Sequence, residues 1–106
     1  MMEDLRNLIR FETWAILKAV AFGAGKEGVR FVVKRTGLAP NTVEKVLGLL
    51  IRYRIVEEER KKRWPWTRAL RLTERGQQLL NRFDSVGELV RQIEREANSL
   101  TATGGG

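Results

Sequence analysis

The chain has 106 residues, of which 42% are apolar and 31% are charged, and its net charge is +7. This length accommodates one compact domain, and the charge favours a polyanionic partner, either nucleic acid or an acidic membrane surface. The sequence contains no Cys and no His, which excludes disulfides, thiol nucleophiles, zinc sites built from these residues and Ser-His-Asp triads. We therefore expect no enzymatic activity, no metal site and no cofactor.

The positive charge is concentrated in the first three quarters of the chain. Residues 1–56 hold 10 basic and 5 acidic side chains, residues 57–75 hold 7 and 4, and residues 76–106 hold 3 and 4. No apolar run reaches the roughly 18 residues of a membrane span, and Met1-Met2-Glu3-Asp4 is acidic where a secretory signal is basic. These features predict a cytoplasmic protein without a membrane segment, and a C-terminal region that is free to associate with a second copy.

Apolar residues spaced three, four and seven apart predict a first helix from about residue 3 to residue 22. This helix carries a second apolar stripe, so its apolar surface is larger than that of a helix with one buried side. The second stripe is either deeply buried or in contact with a partner subunit. Its members are Phe11, Trp14, Ala15, Ala19 and Phe22. The glycine-rich residues 23–28 then form a loop that lacks the phosphate-binding pattern, since Val20 and Glu27 stand where that pattern requires Gly and Ser or Thr.

The next segment predicts a helix-turn-helix. A short helix of about eight residues, starting at Val29, ends before Gly37, which can adopt the left-handed conformation. The turn is three residues long, and Pro40 suits the first position of the second helix. An apolar stripe at i, i+3, i+4, i+7 and i+8 follows on that helix and consists of Val43, Val46, Leu47, Leu50 and Ile51.

This stripe leaves a polar face directed outward on the second helix, formed by Asn41, Thr42, Glu44, Lys45, Gly48 and Arg52. In a helix-turn-helix, the N-terminal turns of the second helix read the major groove. Asn can bind adenine, Lys can reach guanine or a phosphate, and Thr can offer its hydroxyl or methyl group. We therefore predict DNA contacts at Asn41, Thr42, Lys45 and Arg52; the alternative is a solvated polar face.

Residues 55–72 predict a β-hairpin with a basic loop, in which Leu70 and Leu72 alternate with Arg71 on the returning strand. Its cations either contact DNA phosphates and the minor groove or are merely solvated. They are Arg60, Lys61, Lys62, Arg63 and Arg68. The acids at residues 57–59 would repel DNA, so we expect them to be turned away or paired with Arg. Trp64 and Trp66 either stack on nucleic acid or fold onto the hairpin.

After Thr73, a predicted N-cap, apolar residues recur at alternating spacings of three and four up to residue 100. This heptad stripe predicts a dimer interface formed by Leu79, Phe83, Val86, Leu89, Val90, Ile93, Ala97 and Leu100. A break at Asp84-Ser85 is the alternative, because residues 85–88 match a capping box. The predicted organisation is a DNA-binding domain over residues 1–83, a dimerisation helix over 84–100, either continuous with the helix from 73 or separate, and a disordered tail over 101–106.

Three motifs resemble winged helix-turn-helix transcription regulators of the MarR/PadR-like group, and the resemblance covers about residues 11 to 83. The motifs are Thr36-Gly37-Leu38-Ala39-Pro40-Asn41-Thr42-Val43, Leu47-x-x-Leu50 and Leu70-Arg71-Leu72-Thr73-Glu74-Arg75-Gly76. The resemblance implies a mainly α fold with a small β-hairpin, in the order α1-α2-α3-β-wing-β-α4, and a homodimeric repressor or activator. The chain departs from the group's pattern at Ala39, where Ser or Asp usually caps the helix, and at Arg54, where Gly or Asn is common.

These observations predict a sequence-specific regulator that binds double-stranded DNA as a homodimer, with half-sites about 34 Å apart. The alternative is a winged helix that contacts protein within a transcription or replication assembly, with Phe11, Trp14, Phe31 and the two Trp of the hairpin as anchors.

Overall fold

A computed structural model describes residues 8–60 and 68–104, with side chains up to residue 100. The described residues form four helices and one two-stranded hairpin, in the predicted order. Their bounds are α1 (Phe11–Gly23), α2 (Val29–Thr36), α3 (Pro40–Arg52), β1 (Val56–Arg60), β2 (Arg68–Leu72) and α4 (Glu74–Gly104). We refer to β1, β2 and the residues between them as the wing.

Helix α1 begins at Phe11, so the prediction of one continuous helix from about residue 3 is wrong at residues 9 and 10. Arg10 is extended, with φ −142° and ψ 158°, and its N–H donates to the carbonyl of Leu8. Leu8 is nevertheless buried. The apolar period continues into this segment because Leu8, at the end of a 3-10 turn that is separate from α1, also packs into the core.

The helix-turn-helix follows the prediction closely. Gly37 ends α2 with φ +72°, and its N–H donates to the carbonyl of Val33 at 2.9 Å. The Thr36 hydroxyl donates to the carbonyl of Val32 and accepts the N–H of Leu38. Ala39 precedes Pro40 in an extended conformation and provides no side-chain cap. The turn is therefore stabilised from the α2 side.

The end of α3 explains how the chain manages without Gly at position 54. Arg54 adopts the left-handed conformation with φ +57°, and its N–H donates to the carbonyl of Ile51. The N–H of Ile55 donates to the carbonyl of Leu50 at 2.8 Å. This pair of bonds is the Schellman arrangement, and the buried Ile55 and Leu50 provide its apolar contact.

The hairpin is antiparallel, with Val56 opposite Leu72 and Arg60 opposite Arg68. The N–H of Leu70 also donates to the carbonyl of Glu27 at 2.8 Å, which joins β2 to the loop before α2. Apolar side chains from all the elements meet beneath the hairpin. The fully buried members of this core include Ile16, Leu17, Val20, Val32, Val43, Leu47, Leu50, Val56 and Leu70.

The second stripe of α1 is only partly buried in the single chain. Ala19 is buried, Trp14 and Ala15 are half-buried, and Phe11 and Phe22 are exposed. Neither deep burial nor an external contact therefore describes the whole stripe. Within the described residues, no helix combines the length and the apolar character that a membrane crossing needs.

Helix α4 is continuous, so the alternative break at residues 84–85 is wrong. The Ser85 hydroxyl donates to the carbonyl of Asn81 within the helix and does not cap a new one. Thr73 is the N-cap as predicted, because its hydroxyl accepts the N–H of Gly76 at 3.0 Å. Helix α4 extends to Gly104, and the disorder expected for residues 101–106 stays a prediction.

Candidate nucleic-acid interface

The apolar side of α3 determines which of its residues face outward. Val43, Leu47 and Leu50 are fully buried in the core. As a result, Asn41, Lys45 and Arg52 are exposed on the opposite side, and Thr42 is half-buried beside them. Glu44 and Gly48 share the exposed face. The structure thus places the predicted base-reading residues together on the accessible surface of the second helix of the motif.

Arg68 connects the wing to this helix. Its Nε donates to Oε2 of Glu58 at 2.7 Å, and its Nη2 donates to the same oxygen. Its Nη1 donates to Oε1 of Glu44 at 3.1 Å. The Arg68 guanidinium, predicted as a DNA contact, is therefore already bonded to two carboxylates, one on β1 and one on α3.

The electrostatics of this cluster favour the ionised groups. Burial alone would raise the pKa of Glu58, but hydrogen bonds from Arg68 and Arg60 outweigh it and hold that pKa below its usual value. The hydrogen bond to Glu58 raises the pKa of Arg68, with burial opposing it. Both side chains thus remain charged, and the cluster is a fixed connection between strand and helix.

The acids at residues 57–59 were expected to be turned away from DNA or paired with Arg, and two of them are paired. Glu58 accepts from Arg60 at 3.1 Å as well as from Arg68, and Glu57 accepts from Arg71 at 3.3 Å. Arg60 itself is largely exposed at the end of β1. The remaining predicted wing residues, Lys61, Lys62, Arg63, Trp64 and Trp66, lie outside the described part of the chain.

Helix α4 carries the predicted dimer residues, and the structure divides them by exposure. Leu79 and Phe83 are half-buried and pack against the core. Ala97 is exposed. The large side chains beyond Phe83 are 46% to 74% exposed, and they are Val86, Leu89, Val90, Ile93 and Leu100. A continuous apolar stripe thus faces solvent on a helix that extends from the core.

An open groove of about 1050 Å³ lies where α1 meets α4. Trp14 forms part of its wall, and its ring meets Phe11 edge to face with centroids 6.2 Å apart. The other apolar lining comes from Ile9, Phe83, Val86 and Val90, and cations are contributed by Arg10, Lys18, Arg35 and Arg91. The exposed stripe of α4 therefore continues onto α1.

No protein-family model and no curated protein sequence matches the chain. Solved structures do match. Diamide-treated YodB from B. subtilis is 18% identical with a TM-score of 0.69, over 87% of this chain and 94% of that chain. The S. aureus MepR–DNA complex is 17% identical with a TM-score of 0.67, over 92% and 79% of the two chains. A MarR family transcriptional regulator from Silicibacter pomeroyi is 14% identical with a TM-score of 0.62, over 86% and 57%.

The chain has the winged-helix fold of MarR-family regulators. At these identities the similarity establishes the fold, and it confirms the mainly α class with one hairpin that the sequence predicted. The similarity to MepR covers 92% of this chain, which is more than α1, α2, α3 and the hairpin together contain. It therefore includes α4. Of these three structures, the Silicibacter pomeroyi protein is described as a transcriptional regulator.

The sequence pattern does not predict two features of this MarR-type winged helix. The first is the bond between Arg68 and Glu44, which the pattern identifies only as an outward residue. The second is the hydrogen bond that Asp84 accepts from Trp14. For the bond between Arg68 and Glu44, the only signal in the sequence is that the hairpin and α3 carry opposite charges. Which hairpin residue pairs with Glu44 depends on the strand register. Nothing in the sequence pattern signalled the second.

Proposed function

We propose that the chain is a sequence-specific transcription regulator that binds double-stranded DNA as a homodimer. The observation that carries this proposal is the adjacency of two potential DNA-contacting elements. The exposed face of α3 presents Asn41 and Lys45, and the wing is fastened to that helix through Arg68 and Glu44. A helix in the major groove and a basic hairpin beside it can then contact one DNA segment together. MepR, which shares the fold, has been solved in complex with DNA.

The residues divide into two roles in this proposal. Asn41, Thr42 and Lys45 contact base edges, because they lie in the first turns of α3. The surrounding cations hold the phosphate backbone or enter the minor groove and set affinity for any sequence. These cations are Arg52, Arg60, Lys61, Lys62 and Arg63.

The homodimer is proposed from the apolar stripe of α4. Each fully buried Val, Leu or Ile side chain contributes about 1.5–3 kcal/mol, and five large ones on this stripe are exposed in a single copy. A second copy covers them most simply, since a twofold interface brings the same stripe from both chains together. The groove between α1 and α4 adjoins the stripe and widens the surface available to the partner helix.

The test is selection of bound sequences from random duplex DNA. A homodimer of this fold is expected to enrich a palindrome whose half-sites lie about 34 Å apart. Replacing Lys61 and Lys62 by Gln should weaken binding to all sequences alike. It should also reduce the slope of log affinity against log salt concentration by about one for each phosphate contact that is lost. Arg95→Gln, an exposed cation on α4 outside the apolar stripe and the groove, is the control and should leave the salt dependence unchanged.

Two results would count against this account. If the variant with Gln at positions 61 and 62 has an unchanged salt dependence, the wing does not contact DNA. If the chain does not bind random duplex DNA below about 100 μM at moderate salt, DNA is not its partner.

A protein-contact role is the second candidate, and one observation favours it. Phe22 and Phe31 stack with centroids 6.2 Å apart and an interplanar angle of 15°, although Phe22 is largely exposed. Aromatic side chains at the surface are common anchors of protein interfaces. Replacing Phe22 and Phe31 by Ser should then abolish partner binding without affecting DNA binding.

A further inference from the structure

Glu44 is an unexpected residue on a surface proposed to meet DNA. It lies on the exposed face of α3 together with Asn41 and Lys45, and its side chain is 52% accessible. Phosphates repel a carboxylate unless its charge is compensated or it accepts a hydrogen bond from a base. The position of Glu44 therefore requires a partner on the protein, on the DNA, or on both.

The protein partner is Arg68, and its own position is fixed. Two of its nitrogens donate to Glu58, whose side chain is only 15% accessible, and its Nη1 donates to Oε1 of Glu44. Guanidinium nitrogens lie in one plane, so fixing two of them aims the third. Arg68 therefore both offsets the charge of Glu44 and orients its carboxylate.

The other oxygen of Glu44, Oε2, accepts no hydrogen bond from any of the residues described in the structure. In the major groove, the exocyclic amines of cytosine and adenine are the hydrogen-bond donors. Carboxylates accept from N4 of cytosine, whereas adenine, with a donor beside an acceptor, suits the amide of Asn or Gln. A carboxylate with one oriented acceptor atom thus matches cytosine.

We propose that Glu44, oriented by Arg68, determines specificity by accepting a hydrogen bond from N4 of one cytosine in each half-site. This inference rests on the proposed function. Arg68 is then a positioning residue and not a phosphate contact, and it acts on base preference through Glu44.

The experiment is sequence selection from random duplex DNA with four proteins: the unmodified chain, Glu44→Gln, Arg68→Gln and Glu57→Gln. The unmodified chain should enrich a motif with cytosine at one position per half-site. Glu44→Gln should lose that preference by about five- to tenfold and shift toward adenine, which suits an amide. Glu57→Gln makes the same change of charge on β1, outside α3, and should retain the original motif.

Arg68→Gln separates positioning from phosphate binding. If Arg68 is a positioning residue, the Arg68→Gln variant should have a weaker cytosine preference at the same position. Its slope of log affinity against log salt concentration should be unchanged. Loss of a phosphate contact would instead reduce that slope by about 0.9 and leave the preference intact. Circular dichroism of each variant establishes that it folds.

The possible failures are distinguishable. If the unmodified chain yields a motif and Glu44→Gln yields the same motif with the same preferences, the inference is overturned and the DNA-binding function stands. If the Arg68 variant lowers the salt slope without altering base preference, the positioning role is overturned. If the unmodified chain enriches no sequence, both the inference and the proposed function fail.

Discussion

The indole Nε1 of Trp14 donates a hydrogen bond of 2.7 Å to Oδ1 of Asp84, joining α1 to a residue 70 positions later on α4. The Trp14 ring also lies so close to Gly87 that a Cβ there would overlap it. Together these contacts fix the direction in which α4 leaves the core. The orientation of the apolar stripe relative to α3 follows from them.

Replacing Trp14 by Phe keeps an aromatic ring and removes the donor. We expect the free energy of unfolding to fall by about 0.5–1.5 kcal/mol, since a hydrogen bond to a charged acceptor is lost at a partly exposed site. Urea denaturation measures this change. Asp84→Asn, which keeps an acceptor oxygen, should lose less, and an unchanged stability of the Trp14 variant would show that the hydrogen bond does not contribute.

Adding one methyl group at Gly87 should destabilise the chain despite the better helix propensity of Ala. Its Cβ would meet the Trp14 ring, and overpacking of this kind costs about 1–3 kcal/mol. Gly48 on α3 is the matched control, because a Cβ there meets nothing within 4 Å. Gly48→Ala should stabilise by about 0.5–1 kcal/mol. Opposite signs in thermal or chemical unfolding are the expected result.

Arg54→Gly should raise the free energy of unfolding by about 0.5–1 kcal/mol. The left-handed conformation of Arg54 costs a non-glycine residue about 1–2 kcal/mol, and part of the gain is offset by the greater freedom of Gly in the unfolded chain. Arg52→Gly, two residues earlier and inside α3, should lower stability by a similar amount. If both variants are destabilised, the backbone at residue 54 is not strained.

A charge in the centre of the α4 stripe should prevent self-association. Ile93 is 55% exposed in the single chain, so Ile93→Glu leaves the fold intact but places a carboxylate in the proposed interface. Analytical ultracentrifugation should show a monomer for this variant and a dimer for the unmodified chain. Asn98→Glu adds the same charge away from the stripe and should remain dimeric. A dimeric Ile93 variant would exclude this face as the interface.

The stability of the wing should depend on pH through Glu58. Its pKa is lower in the folded chain than in the unfolded chain, so its contribution is fully present above the usual glutamate value of 4.5 and is lost as the pH falls through the lowered pKa. Glu58→Gln should therefore be less stable than the unmodified chain near neutral pH, and the difference should disappear in acid. If the difference in stability between the two proteins does not change with pH, it is due to packing and not to the charge of Glu58.

Elements whose limits are set by local chemistry were predicted well from the sequence. Gly37 and Pro40 fix the turn, and the apolar stripe on α3 determines which side faces outward. The start of α1 was missed because burial of Leu8 mimics helical periodicity. The sequence leaves the continuity of α4 open because Ser85 satisfies a capping pattern locally, whereas in the folded chain its hydroxyl donates to the carbonyl of Asn81 within the helix.

The contacts within the candidate site were less accessible to sequence reasoning. Outward positions on α3 follow from helical phase alone, and they include Asn41 and Lys45. The pairing of Arg68 with Glu58 and Glu44 requires the strand register and the docking of the hairpin on α3. Both depend on residues far apart in the chain, and a pattern read along one segment carries no information about them.

The uninterrupted course of α4 also limits which changes of length this region tolerates. Each residue of a helix adds 1.5 Å and about 100° of rotation, and Asp84 and Gly87 are anchored on Trp14. One residue inserted after Gly87 would turn the outer stripe by more than a quarter circle, away from the surface it continues. Seven residues return it to within about 20°. Natural relatives with a longer or shorter α4 should therefore differ by whole heptads between this anchor and the stripe.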